Sequence, residues 1–201
     1  MSAPVRIDTP HGPAQAHLHP ADAPGAALVL GHGAGGGVEA RDLVAVAEVA
    51  RAAAVSVALV EQPYLVAGRR APASPGQLDA AWTAVVEHLR GADLDGLPLM
   101  VGGRSLGARV ACRTAAATQA IAVLCLAFPV HPPGRPEKSR LEELDAVELP
   151  TLVVQGDRDP FGMPPPGPNR EVVQVAGDHG LKKDLDAVTT AVEAWLRRVA
   201  A

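Results

Sequence analysis

From Ala26 onward, short apolar runs alternate with stretches of helical periodicity, and this alternation constrains the fold more than any other feature of the chain. Residues 26–30, 55–60, 98–101, 121–128, 151–155 and 171–175 read as strands. Between them, residues 41–53, 77–89 and 106–118 read as helices, with a shorter one at 141–147. Leu78, Trp82, Val85 and Leu89 share one helical face, and Leu185, Val188, Val192, Trp195 and Val199 line the last helix. Strands separated by helices of this length are joined by right-handed crossovers, so the expected fold class is α/β, with a mostly parallel, doubly wound sheet. Residues 5–7 and 14–19 flank the turn-like Thr9-Pro10-His11-Gly12-Pro13 and predict a hairpin ahead of that sheet. A chain of 201 residues hardly accommodates a second domain of ordinary size, so one compact domain over residues 1–201 is expected.

In a parallel sheet, function collects at the carboxyl ends of the strands. Three proline-rich segments, 63–75, 129–136 and 160–168, each follow a predicted strand and so fall on that edge. The first parallel strand also runs into glycines there. Gly31, Gly33 and Gly36 fit G-x-G-x-x-G, the spacing that seats a dinucleotide pyrophosphate. The same letters hold His32-Gly33-Ala34-Gly35, a loop able to turn an amide toward an oxyanion. A nicotinamide reading places its ribose-binding acid about 20 residues on. Glu61 lies thirty residues after Gly31, a strand pair precedes the loop, and no separate catalytic domain follows.

The second glycine motif decides the matter. Gly103-Arg104-Ser105-Leu106-Gly107 matches G-x-S-x-G between a predicted strand and a predicted helix, the context of a nucleophile elbow. Side chains at Gly103 and Gly107 would collide with the neighbouring strand and helix, leaving Ser105 to project. A serine hydroxyl needs a base, and the base needs a carboxylate to hold its tautomer. In the order Ser, acid, His, His179 is the base, because His131 precedes the candidate acids and is a rim or structural residue. Asp159, stiffened by Pro160, is preferred as the acid over Asp157, which follows Gly156 and braces the loop. Asp178 adjoins His179 too closely to bond its ring. The oxyanion amides are assigned to Leu106 and Ala34, with Gly35 in reserve, and His32 fixes the loop.

Composition narrows the chemistry further. A net charge of −4 without a long basic run excludes a nucleic-acid surface, and Arg69-Arg70 is too short to make one. No apolar stretch reaches the ~20 residues of a membrane span. Residues 1–6 lack an apolar signal core behind a basic start, so the cytoplasm is expected. Cys112 and Cys125 form no C-x-x-C and read as buried thiols, with neither a zinc site nor a disulfide framework. With two Trp, one Tyr and two Phe in the chain, a pocket must be walled mostly by small apolar side chains and backbone, which suits a small acyl group. Tyr64 and Phe161 are candidate pocket walls. Arg104 is expected to pair with Glu61 or else reach substrate. Arg69 and Arg70 brace a loop or hold an acidic substrate group.

The stretches "GHGAGGG", "PYLVAGRRAP", "GGRSLGARVA", "FPVHPPGRPEK", "VQGDRDPFG" and "GDHGLK" resemble those of the α/β-hydrolase superfamily in its compact, dienelactone-hydrolase-like form. More narrowly, they resemble the family that includes testis-expressed protein 30 and subunit 3 of the NSL histone-acetyltransferase complex. The resemblance implies Ser105 as nucleophile, Asp159 as acid and His179 as base, and it implies no cofactor or metal. The resulting expectation is a serine hydrolase of a small-acyl ester or thioester, without a large cap domain. It would act as a monomer or small homo-oligomer, without nucleic acid or membrane as partner. A binding or scaffold protein that keeps this architecture without turnover is the alternative, to be recognised by Ser105 and His179 standing apart.

Overall fold

The computed structural model describes residues 3–200. In chain order the elements are β1 (Val5–Thr9), β2 (Gly12–His19), β3 (Ala26–Gly31), α1 (Arg41–Ala52), β4 (Val55–Glu61), α2 (Pro63–Val66) and α3 (Pro75–Arg90). There follow β5 (Leu99–Arg104), α4 (Leu106–Thr114), β6 (Ala122–Leu126), α5 (Leu141–Asp145), β7 (Thr151–Gly156), β8 (Arg170–Val175) and α6 (Leu185–Val199). The strands form one eight-stranded sheet in the order β1-β2-β4-β3-β5-β6-β7-β8. From β4 to β8 every pairing is parallel, while β1–β2 and β2–β4 are antiparallel. The predicted hairpin is thus present, with Thr9 opposite Gly12 at its turn.

Strands β3 and β6 carry no polar side chain because both faces of the sheet are covered. Along β3, Ala27 and Val29 enter one core while Ala26, Leu28 and Leu30 enter the other. Along β6, Val123 and Cys125 divide in the same way from Ala122, Leu124 and Leu126. This is the two-residue period of a strand read against two hydrophobic layers. Leu78, Trp82, Val85 and Leu89 of α3 pack on the first layer, and Val188, Val192 and Trp195 of α6 on the second. Arg113 of α4 reaches both Asp79 of α3 (Nη2 to Oδ1, 2.6 Å) and Glu143 of α5 (Nη1 to Oε1, 3.2 Å), tying the helices of the first face together.

Element ends differ from the sequence reading where local backbone chemistry intervenes. Helix α3 begins two residues early, because Pro75 suits the first turn and Gln77 Oε1 accepts the Ser74 N–H at 3.3 Å. Helix α4 stops at Thr114: Gln119 takes a left-handed φ of 48° and Ala120 N–H turns back to Ala115 O at 3.1 Å. Strand β6 ends before Ala127, whose φ is 51°. One turn of helix, α2, occupies the start of a segment read as a loop, with Pro63 at its first position. The two cysteines are free and buried as expected, and they also touch, with Sγ atoms 3.5 Å apart between α4 and β6. Contact with Cys125, then burial, pushes the Cys112 thiol well up from its ordinary range.

Backbones pack without room for a side chain where β3, β5 and α4 meet. A Cβ on Gly103 would stand 2.5 Å from Gly31 O, and one on Gly107 would run into the same carbonyl. A Cβ on Gly31 would in turn meet Gly107 Cα at 3.3 Å and the Trp82 ring at 3.2 Å. Gly107→Ala therefore has to push α4 off the sheet, and a loss on the order of 3 kcal/mol is expected, read as a fall in Tm of roughly 6–12 °C. Thiol titration with a disulfide reagent at neutral pH should find no reactive cysteine in the native protein and both in denaturant. Rapid native reaction would contradict the burial.

Candidate active site

The end of β5 and the start of α4 leave Ser105 with a backbone that few residues adopt, φ 51° and ψ −104°. Such a conformation costs of order 1–3 kcal/mol and persists only where the surroundings impose it. Here the imposition is visible. Ser105 N–H donates to Leu126 O of β6 at 2.9 Å, Arg109 N–H closes the first helical turn onto Ser105 O, and the glycine contacts hold both flanks. The serine makes no side-chain cap for its helix, so its hydroxyl is available elsewhere.

That hydroxyl meets His179. Ser105 Oγ lies 2.9 Å from His179 Nε2, and His179 Nδ1 lies 2.8 Å from Asp159 Oδ2. With the carboxylate accepting from Nδ1–H, Nε2 is left to accept the serine proton. The Asp159 side chain is only 1% exposed. Its Oδ1 accepts the Phe161 N–H at 2.8 Å, and its Oδ2 also receives Gln155 Nε2 at 2.9 Å. The Phe161 ring stacks on His179, with centroids 4.1 Å apart and planes 28° from parallel.

Asp157 takes the bracing role expected of it, its Oδ1 accepting Gly177 N–H at 2.8 Å. That bond holds its carboxyl below the usual carboxylate range. His131 stays outside the site: its Nδ1 bonds Pro132 O at 2.9 Å, and its ring abuts Gly162 behind the Asp159 loop. Ser105 and His179 do not stand apart, so the mark of the scaffold alternative is missing from this structure.

The loop after β3 closes the other side. His32 is buried, its Nδ1 bonding Gly33 O at 2.8 Å and its Nε2 accepting Gln62 N–H at 3.1 Å. Burial lowers its pKa, which suits the neutral ring those two bonds require. Tyr64 is buried and donates its hydroxyl to Ala34 O at 3.2 Å, so it holds the loop as much as it walls the site. A Cβ on Gly33 would lie 3.7 Å from Ser105 Cβ, which places this loop directly beside the serine. Leu106 opens α4, where a first-turn amide has no intrahelical acceptor. Ala34 and Gly35 are exposed. Beyond Tyr64, a cavity of about 250 Å³ is bordered by Gln62, Leu78 and Arg69, while Arg70 is exposed.

Two features escaped sequence reasoning. Gln155 is fully buried at the end of β7 and turns its amide onto Asp159 Oδ2, Phe128 O (3.0 Å) and Gly162 O (2.8 Å). A polar side chain closing an otherwise apolar strand was the available signal. The second is the partner of Arg104. It does not pair with Glu61, because β3 lies between β4 and β5 and Glu61 instead meets His17 Nε2 at 3.4 Å. Arg104 Nε sits 2.9 Å from Asp42 Oδ2 in the first turn of α1, and its Nη2 donates to His179 O at 3.0 Å.

Among the described residues, no group of His, Cys, Asp and Glu is arranged to hold a metal ion, and no helix is long and apolar enough to cross a membrane. Among the described residues, α2 and α5 are short and no large cap domain rises over the carboxyl edge. Comparison with solved structures places this architecture among known ones. The chain aligns with a Xanthomonas campestris protein described as an a/b serine hydrolase without lid, at TM-score 0.80 and 22% identity, covering 98% of this chain and 94% of that one. It aligns with Est1E from Butyrivibrio proteoclasticus at TM-score 0.78 and 18% identity, covering 98% of each chain. A dienelactone hydrolase from Anabaena variabilis gives TM-score 0.77 and 18% identity, covering 98% of this chain and 97% of that one. At these identities the likeness is one of fold. No curated protein sequence matches the chain significantly. The family described as "Alpha/beta hydrolase domain" matches residues 24–198, and the chain belongs to it.

Proposed function

We propose that this protein is a serine hydrolase cleaving a carboxylic ester or thioester of a small acyl group. The observation that carries the reading is the continuous chain from Ser105 Oγ through His179 to buried Asp159, at 2.9 and 2.8 Å, with the serine on a strained elbow. As Ser105 Oγ attacks the carbonyl carbon, its proton passes to His179 Nε2. Asp159 holds Nδ1–H and offsets the positive charge that forms on the ring. The carbonyl oxygen becomes an oxyanion facing the amides of Leu106 and Ala34, with Gly35 in reserve, where loss of one donor typically raises the barrier by roughly 3 kcal/mol. His179 then returns its proton to the departing alcohol or thiol. Water repeats the sequence on the acyl-enzyme and restores Ser105. No cofactor enters these steps.

The small-acyl reading is supported by the scarcity of aromatic side chains in the chain, which leaves mostly small apolar side chains and backbone to wall a pocket, with Phe161 stacked on the His179 ring and Tyr64 holding Ala34. The open edge leaves the leaving group less restricted than the acyl group. The narrower kinship, with the family of testis-expressed protein 30 and NSL complex subunit 3, is supported by motifs that carry Ser105, Asp159, His179 and Arg104 together. Two free thiols in contact suit a reducing cytoplasm as the place of action.

A fluorophosphonate probe should label the folded protein at one site, and Ser105→Ala should abolish labelling while lowering kcat by about four to six orders of magnitude. A folded wild type that resists the probe would refute the reading. On p-nitrophenyl esters, kcat/KM for acetate or butyrate should exceed that for palmitate by at least about tenfold, as expected where overlong chains cannot be buried. The reverse order would overturn the small-acyl assignment and leave the hydrolase reading standing.

A further inference from the structure

The side chain of Arg104 joins three parts of the site that the sheet alone does not connect. Its Nη2 donates to the backbone carbonyl of His179 at 3.0 Å, and its Nε stands 2.9 Å from Asp42 Oδ2. Its Nη1 presses on Gly33, where an added Cβ would lie 2.9 Å away. The guanidinium therefore bridges the histidine loop, the first turn of α1 and the loop beside the serine. Its own backbone immediately precedes Ser105, so the strut is anchored at the nucleophile.

The histidine loop needs such a strut. Gly177 adopts φ 139° and Gly180 directly follows His179, so on either side of the ring the loop includes a residue with no side chain of its own to pack. Asp159 fixes the ring at Nδ1, and Asp157 fixes the loop at Gly177, but both carboxylates stand on the loop after β7. The bond from Arg104 ties His179 to the strand that carries Ser105. A misplacement of about 1 Å between reacting groups can cost on the order of a hundredfold in rate.

Asp42 explains why an arginine can serve here. Its side chain is 2% exposed and its Oδ1 accepts the Leu43 N–H at 3.0 Å at the start of α1, where a negative charge is favoured by the helix dipole. Burial raises its carboxyl above the usual range, and the Arg104 guanidinium offsets that only in part. Paired with this carboxylate, Arg104 adds little net charge next to a histidine that must itself become positive. The rigid fork of a guanidinium reaches the carboxylate and the carbonyl at once, which a single ammonium cannot do.

We propose that Arg104, held by Asp42, is a positioning residue that sets His179 against Ser105. The inference rests on the serine-hydrolase reading for its catalytic consequence and on the structure alone for its geometry. Arg104→Met should lower kcat for p-nitrophenyl acetate by about 10- to 100-fold with KM within about twofold, the signature of an interaction felt in the transition state. Arg104→Lys should regain part of that loss, and Asp42→Asn should fall between Lys and Met. In proton NMR, the downfield resonance of the proton shared by His179 and Asp159 should broaden or vanish in Arg104→Met. Near-UV circular dichroism at the assay temperature checks the fold, and Arg104→Gln carries the same readings if Met at this position fails to fold.

A folded Arg104→Met with wild-type kcat and an unchanged downfield resonance would overturn the proposal. So would a raised KM with unchanged kcat, which would make Arg104 a substrate contact. If the wild type neither turns over ester nor takes the fluorophosphonate, the hydrolase reading fails by itself. The resonance then decides: its loss in Arg104→Met supports the positioning role, and its persistence refutes it.

Discussion

The structure depends on a backbone contact that only glycine permits. Gly31 at the end of β3, Gly103 near the end of β5 and Gly107 in the first turn of α4 touch main chain to main chain, with no space for a Cβ at Gly103 or Gly107. This contact lets α4 begin within one residue of the strand, and it forces the turn at Ser105 into its strained conformation. The cost, of order 1–3 kcal/mol, is offset by the apolar layers on both faces of the sheet. Neighbouring strands supply the rest, since β6 accepts the Ser105 amide through Leu126 O. A nucleophile that points out of the sheet edge is thus a consequence of how closely three elements approach.

A second tier of polar groups turns that edge into a site. Asp159 is buried, and a buried carboxylate is tolerable only when its oxygens are occupied. They are, by His179 Nδ1, Phe161 N and Gln155 Nε2. Gln155 does more than one task with the same amide. Its two hydrogens face three acceptors, so the loop from Phe128 and the loop through Gly162 are drawn toward the carboxylate together. The close approach continues at Gly156, where a Cβ would meet Asp178 O at 2.5 Å and bar the histidine loop from its place. Rigidity here comes from a network whose members share partners, which makes each member's effect larger than its own bond.

Much of this was legible in the chain, and the exceptions have physical causes. Continuous apolar runs revealed β3 to β7, because a strand covered on both faces has no polar side to display. Ser105, Asp159 and His179 were legible because their order and their strand-end context are imposed by the sheet, and the structure brings them within hydrogen-bond distance. The structure departs from the sequence expectation where an interaction crosses between elements. The sequence places Glu61 as the partner of Arg104 along the sheet edge, whereas strand order puts β3 between them and the arginine turns toward α1. Gln155 gives no periodic signal, only the oddity of a polar side chain ending an apolar strand, although it is among the most buried side chains in the protein. The sequence extends α4 to residue 118 because nothing in its alanines announces the left-handed Gln119 that ends the turn beyond it.

The glycine run after β3 shows how a motif can be matched in letters and fail in mechanics. In a dinucleotide fold the third glycine of G-x-G-x-x-G is required where helix and strand pack closely. Here that position is Gly36, around which an added Cβ meets nothing within 4 Å, and α1 begins only at Arg41. The close neighbours are instead at Gly31, where a Cβ would stand 3.2 Å from the Trp82 ring and 3.3 Å from Gly107 Cα, and at Gly33, where it would stand 2.9 Å from the end of the Arg104 side chain. Both contacts are made by the elements around Ser105, as the nucleophile elbow demands and a pyrophosphate cradle does not. The loop's freedom is spent on a close approach to the serine, and its remaining hold comes from His32 and Tyr64 on either side of Ala34. Spacing alone could not distinguish these uses, because it records where side chains are missing and not which neighbour excludes them.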